Sequence, residues 1–148
     1  MNKKHAAGIA LATSLLVGFE GVRTVAYYDP VGIPTVCMGE TRGVVIGDKY
    51  TLEQCKAMST ARVAEFADGV EKALKVPVSD KTFASFTSFS YNLGLGVFKN
   101  KIAPLANAGN VAGACKRMGL YTQAHGLTLP GLVKRRQEEV ALCLDGLK

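Results

Sequence analysis

The sequence predicts an α+β fold, with a small antiparallel sheet lobe, a larger helical lobe and a cleft between them. Three observations predict it. An apolar stretch over 6–20 stops at Gly21, the residue type that closes helices. Arg23–Tyr28 and Ile33–Met38 are short strand-like runs separated by Asp29-Pro30-Val31-Gly32, the residue preference of a type I turn. Beyond residue 50 every periodic segment is helical. The expected organisation is one domain over 1–148, with an apolar N-terminal helix at 6–19, a sheet lobe at 21–50 and a helical lobe at 51–148.

The elements follow in order. Residues 40–50 are expected to extend the small sheet. Thr51-Leu52-Glu53-Gln54 is a capping-box pattern, in which the Thr hydroxyl and the Gln side chain each satisfy a backbone N–H of the first turn. It opens a helix running to about Lys75, with a break near Ser59, that ends before Pro77. Ser79 or Asp80 caps the next helix, whose core face carries Phe83, Phe86, Phe89 and Leu93, and Gly94 and Gly96 end it. Short helices are expected over 101–108 and 110–118. Thr128 caps the last helix, with Pro130 in its first turn and Gly146 past its end.

Composition excludes several classes. An apolar fraction of 48% with 20% charged residues is too hydrophobic for a disordered chain. No run of 18 apolar residues is present, which excludes an ordinary multi-span membrane protein. The net charge of +6 points to a polyanionic partner, but no zinc-finger, helix-turn-helix or aromatic nucleic-acid signature accompanies it, so nucleic acid is not expected. Cys37, Cys55, Cys115 and Cys143 form no C-x-x-C pair, which argues against a metal site; four cysteines leave three disulfide connectivities open.

The N-terminus has two readings. Lys3, Lys4 and His5 precede Ala6–Phe19, in which only Thr13 and Ser14 are polar. A basic start and short apolar stretch resemble a signal sequence without a small-x-small cleavage site. The segment is either a core helix or a weak, releasable membrane anchor, and it can be each at different times.

Two carboxyls carry the chemistry. Glu20 ends an apolar helix, where reduced hydration and the negative end of the helix dipole both disfavour charge, the condition for a general acid. Asp29 sits in a polar turn that suits an ionised carboxylate. Thr35 lies six residues on, its hydroxyl placed to hold a water with Asp29. Paired carboxyls in unlike environments are the equipment of glycoside hydrolysis.

The segment from Glu20 through Tyr28-Asp29-Pro30, Thr35 and Cys37 to Gly39 resembles the active-site segment of phage-type lysozymes, glycoside hydrolase family 24. Ser88-Phe89-Ser90-Tyr91-Asn92-Leu93-Gly94 resembles the family's F-x-x-N-x-G helix, and Gly131-Leu132-Val133-Lys134-Arg135-Arg136 with Glu139 resembles its G-L-x-x-R-R-x-x-E helix. The resemblance implies a lysozyme-like fold and a muramidase that cleaves the β-1,4 bond between N-acetylmuramic acid and N-acetylglucosamine in peptidoglycan. It implies Glu20 as general acid, Asp29 and Thr35 positioning the attacking water, and inversion at the anomeric carbon. Asn92 and Tyr28 are the expected substrate contacts, and Arg135 or Arg136 the expected partner of Glu20. Host-cell lysis by a monomeric enzyme with no cofactor or metal is expected, made in the bacterial cytoplasm and acting in the periplasm. The N-terminus is similar to that of signal-anchor-release endolysins, which implies transient inner-membrane tethering.

Three departures stand out: Glu40 where many relatives have His, no Trp in 118–128, where Tyr121 is left to stack on sugar, and Ile102-Ala103-Pro104 in place of a Ser/Thr cap. A non-catalytic peptidoglycan-binding module would be expected to have lost Glu20 or Asp29; both are present. Pairing each cysteine with its chain neighbour predicts Cys37–Cys55 and Cys115–Cys143, one tying the sheet lobe to the next helix and one tying two C-terminal helices.

Overall fold

A computed structural model describes residues 5–148; Lys3 and Lys4 of the basic start lie outside the described residues. Helix α1 (Ala6–Glu20) leads into the antiparallel hairpin β1 (Arg23–Tyr28) and β2 (Pro34–Cys37), then the long helix α2 (Leu52–Ala73). Helix α3 (Asp80–Leu93) follows. A single turn α4 (Leu95–Val97), a π-helical turn at Phe98–Ile102, and the short helices α5 (Ala103–Asn107) and α6 (Val111–Met118) come next. A two-residue-per-strand hairpin, β3 (Gln123–Ala124) and β4 (Leu127–Thr128), precedes the last helix α7 (Pro130–Asp145).

Helix α3 is the axis of the helical lobe. Every residue from Thr82 to Ser90 is buried, not only the phenylalanine face. The buried hydroxyls make this possible because each finds an acceptor. Thr87 donates to Phe83 O at 2.9 Å, Ser90 to Phe86 O at 2.8 Å, and Thr82 to Cys143 O of α7 at 2.8 Å. Their small side chains let α1, α2 and α7 close around α3. Where α1 crosses, Gly8 is required: a Cβ there would lie 2.8 Å from Phe83 Cδ1. The ring of His5 stacks on Phe83 with centroids 4.1 Å apart, fastening the start of α1, and its Nε2 lies 3.3 Å from Glu71 Oε1 of α2.

Helix α1 buries one narrow stripe, Gly8, Ile9, Ala12 and Leu16, and leaves apolar Leu11 and Val17 exposed. Among the described residues no helix is long and apolar enough to cross a membrane. A second, smaller core lies under the hairpin: Val36, Val44 and the Cys37–Cys55 disulfide. Cys115–Cys143 joins α6 to α7. The bridges close loops with sequence separations of 18 and 28 residues. In the chain-entropy account such loops are worth about 3 kcal/mol each.

Several local expectations are corrected. Residues 40–50 add no third strand, only single bridges at Val36–Glu40 and Val25–Lys49. The carboxylates of Glu40 and Asp48 take up the backbone N–H groups of Thr41, Arg42 and Val45, and these bonds favour turns over a ladder. Helix α2 runs through Ser59 without a break, its capping box complete at Thr51 and Gln54. Thr128 does not cap α7: it is paired in β4, and the N-cap is Leu129 without a side-chain bond. The π-helical turn ends at Ile102, two residues before Pro104, which lies in the first turn of α5 where its missing N–H costs nothing.

Candidate active site

Glu20 is the last residue of α1, and Gly21 ends the helix in a conformation with φ +69° that favours glycine. This stop aims the carboxyl at α7, where Oε1 accepts from Arg135 Nη1 at 2.7 Å. The other oxygen, Oε2, faces the turn after β2; a Cβ on Gly39 would sit 3.8 Å from it. The side chain stays 29% exposed, so the desolvation suggested by its apolar helix is partial and Arg135 supplies a compensating charge. A surface cleft of about 670 Å³ opens beside it, lined by Gly18, Phe19, Asn92, Leu132 and Arg135 among others.

Arg135 is itself fixed. Its Nη2 donates to Ser88 O at 3.3 Å, its Nε lies 3.4 Å from Glu139 Oε2, and its guanidinium sits 4.8 Å over the Phe19 ring. Arg136 points elsewhere, because adjacent helical residues diverge by about 100°. It donates to Glu139 Oε1, to Asn92 Oδ1 and, at 3.0 Å, to Tyr121 O. Arg135 therefore partners Glu20 and Arg136 does not. Glu139 stands three and four residues on and bridges both, with Ser88 donating to its Oε2 at 2.6 Å. Burial pushes the Glu139 carboxyl up against the pull of Arg136, Ser88 and Arg135, and burial pushes Arg136 down. Asn92 is half-buried: Arg136 holds its carbonyl oxygen while the residue lines the cleft.

Asp29 opens the hairpin turn. Its Oδ1 accepts from Val31 N at 2.9 Å and from Ile33 N at 2.8 Å, an Asx-type arrangement that fixes the carboxylate's direction. Thr35 is buried in β2 and its hydroxyl donates to Ile33 O at 2.9 Å. Its proton is thereby committed, and its lone pairs remain to accept. Tyr28 is exposed at the end of β1.

The turn after β2 carries a group whose surroundings the sequence did not reveal. Glu40 Oε1 accepts from Arg62 Nη2 of α2 at 2.8 Å and from the backbone N–H groups of Thr41 and Arg42, each at 3.0 Å. Burial alone would raise this carboxyl, but the Arg42 N–H, the Arg62 guanidinium and the Thr41 N–H together hold it below its ordinary value of 4.5. A lowered folded-state pKa means stability that is present above the unfolded value and lost as pH falls through the folded one. Glu40→Gln is therefore expected to cost about 1 kcal/mol at neutral pH, or about 3 °C in Tm. The gap to wild type should close below the ordinary carboxylate value; a gap of constant size from pH 7 to pH 3 would show that the charge on Glu40 is not what stabilises the turn.

Comparison with known proteins places the chain in a family. The phage lysozyme family model matches residues 17–139. The SAR-endolysin of Pseudomonas phage phiKMV is 35% identical over 150 aligned residues, covering 98% of this chain and 94% of the relative. The endolysin from Escherichia coli O157:H7 phage FAHEc1 superposes with a TM-score of 0.84 at 32% identity, covering 91% of each chain. The active form of the P1 phage endolysin Lyz superposes with a TM-score of 0.81 at 26% identity, covering 97% of this chain and 85% of that one. The chain belongs to the phage lysozyme family, and it is a glycoside hydrolase that degrades peptidoglycan.

Proposed function

We propose that the chain is a single-domain muramidase that lyses the bacterial host by general acid catalysis from Glu20, with Asp29 and Thr35 positioning water. The observation that carries this reading is the placement of Glu20, one oxygen on Arg135 and the other toward the β2 turn, beside an open cleft. With Oε1 tied to Arg135, Oε2 is the oxygen free to carry the transferable proton. Its proton goes to the glycosidic oxygen as the C1–O bond breaks, and Arg135 stabilises the carboxylate that remains. Water held by Asp29 and by the lone pairs of Thr35 attacks C1 from the opposite face, its proton passing to Asp29, with inversion. Asn92 and Tyr28 contact the glycan.

The test is digestion of purified peptidoglycan. Expected products are fragments with N-acetylmuramic acid at the new reducing end, released as the α-anomer. Binding without reducing ends would indicate a lysozyme-shaped binding module instead.

The segment Ala6–Phe19 is further read as a transient inner-membrane tether for an enzyme made in the cytoplasm and acting in the periplasm. Its exposed Leu11 and Val17, and the name of the phiKMV relative, support this. Fractionation of expressing cells decides it: the chain should first be found with membranes, and a chain found only in the cytosol at all times would leave α1 as a core helix alone.

A further inference from the structure

The turn Cys37–Glu40 is fastened at three of its four residues, each to a different side chain of α2 or α3. Cys37, in a left-handed conformation with φ +60°, is bonded to Cys55 of α2. The carbonyl of Met38 accepts from the Tyr91 hydroxyl of α3 at 2.8 Å. Glu40 is held by Arg62 of α2 at 2.8 Å, and its backbone exchanges two 2.9 Å bonds with Val36. Between the last two points lies Gly39, with φ +80°, the residue that Glu20 Oε2 faces. Thr35 lies two residues before Cys37 on the same strand. The turn therefore connects the two sides of the reaction, the acid at the end of α1 and the water site on the hairpin.

We propose that Tyr91 and the Glu40–Arg62 pair are positioning residues for the glycosidase reaction: together they fix the height of the Met38–Glu40 turn over Glu20, and so the separation between the acid and the hairpin that holds water. Neither touches substrate. The proposal rests on the reading of Glu20 as the acid.

Two observations favour a positioning role over ordinary packing. The Tyr91 ring is already secured by Phe66, centroids 5.3 Å apart, so its hydroxyl is not needed to bury it. The hydroxyl reaches across from the helical lobe to a backbone carbonyl of the sheet lobe, 53 residues away in sequence. Burial, with the charges of Glu20 and Glu40, pushes Tyr91 up to about 12, so the hydroxyl remains a donor at every pH where the enzyme would work. Glu40 and Arg62 are nearly removed from water, with side-chain exposures of 14% and 15%, and they link the same turn to α2. Geometry loosened by a fraction of an ångström at such a point costs rate rather than affinity.

The test is steady-state hydrolysis of soluble peptidoglycan fragments by the full chain. Tyr91→Phe removes one oxygen and is expected to lower kcat about tenfold with KM within about twofold. Glu40→Gln, which keeps an acceptor for Arg62 and the two N–H groups, should retain most of kcat, whereas Glu40→Ala should lose about tenfold. Tyr91→Phe combined with Glu40→Ala should lose less than the product of the two, because both release one turn. Thermal unfolding of each variant is followed in parallel. Wild-type kcat in folded Tyr91→Phe overturns the proposal, even if Tm falls, because the bond would then be structural alone. Should Tyr91→Phe unfold at the assay temperature, the Glu40→Ala and Glu40→Gln pair decides: equal kcat values in the two overturn it. Glu20→Gln is assayed alongside. If it is inactive while Tyr91→Phe turns over normally, the positioning proposal fails and the acid assignment stands; if Glu20→Gln turns over normally, the acid assignment itself has failed.

Discussion

Glu20→Gln is expected to slow peptidoglycan hydrolysis by at least about 100-fold, the scale of a general acid's contribution, while the protein stays folded. The amide has the shape of the carboxyl, and its oxygen can still accept from Arg135 Nη1 as Glu20 Oε1 does. What it lacks is a transferable proton. Stability should change little, because Arg135 keeps the Ser88 carbonyl and Glu139, and a partly exposed ion pair is worth about 1 kcal/mol at most. The measurement is reducing-end release at saturating substrate, with thermal unfolding alongside. A variant that turns over like wild type removes Glu20 from the mechanism. Asp29→Asn should also be severe: its Oδ1 keeps the direction set by Val31 N and Ile33 N, but the base that receives the water's proton is gone. Thr35→Ala should be milder, since it deletes one acceptor and no charge.

What the sequence shows of the site depends on how local the governing interaction is. Glu20 at the end of α1, the Asp29 turn and the Thr51–Gln54 capping box rest on contacts within a few residues, and their sequence patterns show them. The 123–128 hairpin went unread although it carries a signal: His125 and Gly126 both have positive φ, at +53° and +77°, as a two-residue hairpin turn requires. The extended sheet expected over 40–50 failed because short acidic side chains took the backbone donors a strand would have used. The choice between Arg135 and Arg136 was not legible at all. Both lie next to Glu139 by helical spacing, and only the direction from which α1 and α3 approach α7 decides which one meets Glu20. Glu40 and Arg62, 22 positions apart, meet only because α2 packs under the hairpin. The two adjacent arginines and the glutamate between Glu20 and Asn92 show how much of the site lies beyond local pattern.

Removal of that glutamate should have the largest effect on stability. Glu139 is 0% exposed and Arg136 only 1%. Burial disfavours the charge on both, and each is the other's counter-charge. Glu139→Ala leaves Arg136 with Asn92 and Tyr121 O but no anion, leaves Arg135 with Glu20 alone as counter-charge, and orphans the Ser88 hydroxyl. Breaking a buried pair from one side costs about 3–5 kcal/mol, a large share of the margin of a chain this size. The expected result is an unfolding free energy lowered by that amount, read as a lower denaturant midpoint at unchanged slope. Turnover should also fall in whatever fraction stays folded, because Arg135 loses the contact that orients it toward Glu20. Replacing both partners, Glu139→Leu with Arg136→Leu, should restore part of the stability, since no unpaired charge is left inside, yet it should not restore activity while Asn92 and Arg135 lack their anchors. A Glu139→Ala protein within about 1 kcal/mol of wild type would mean that water reaches the arginines and that the network is not the closed, buried unit described above.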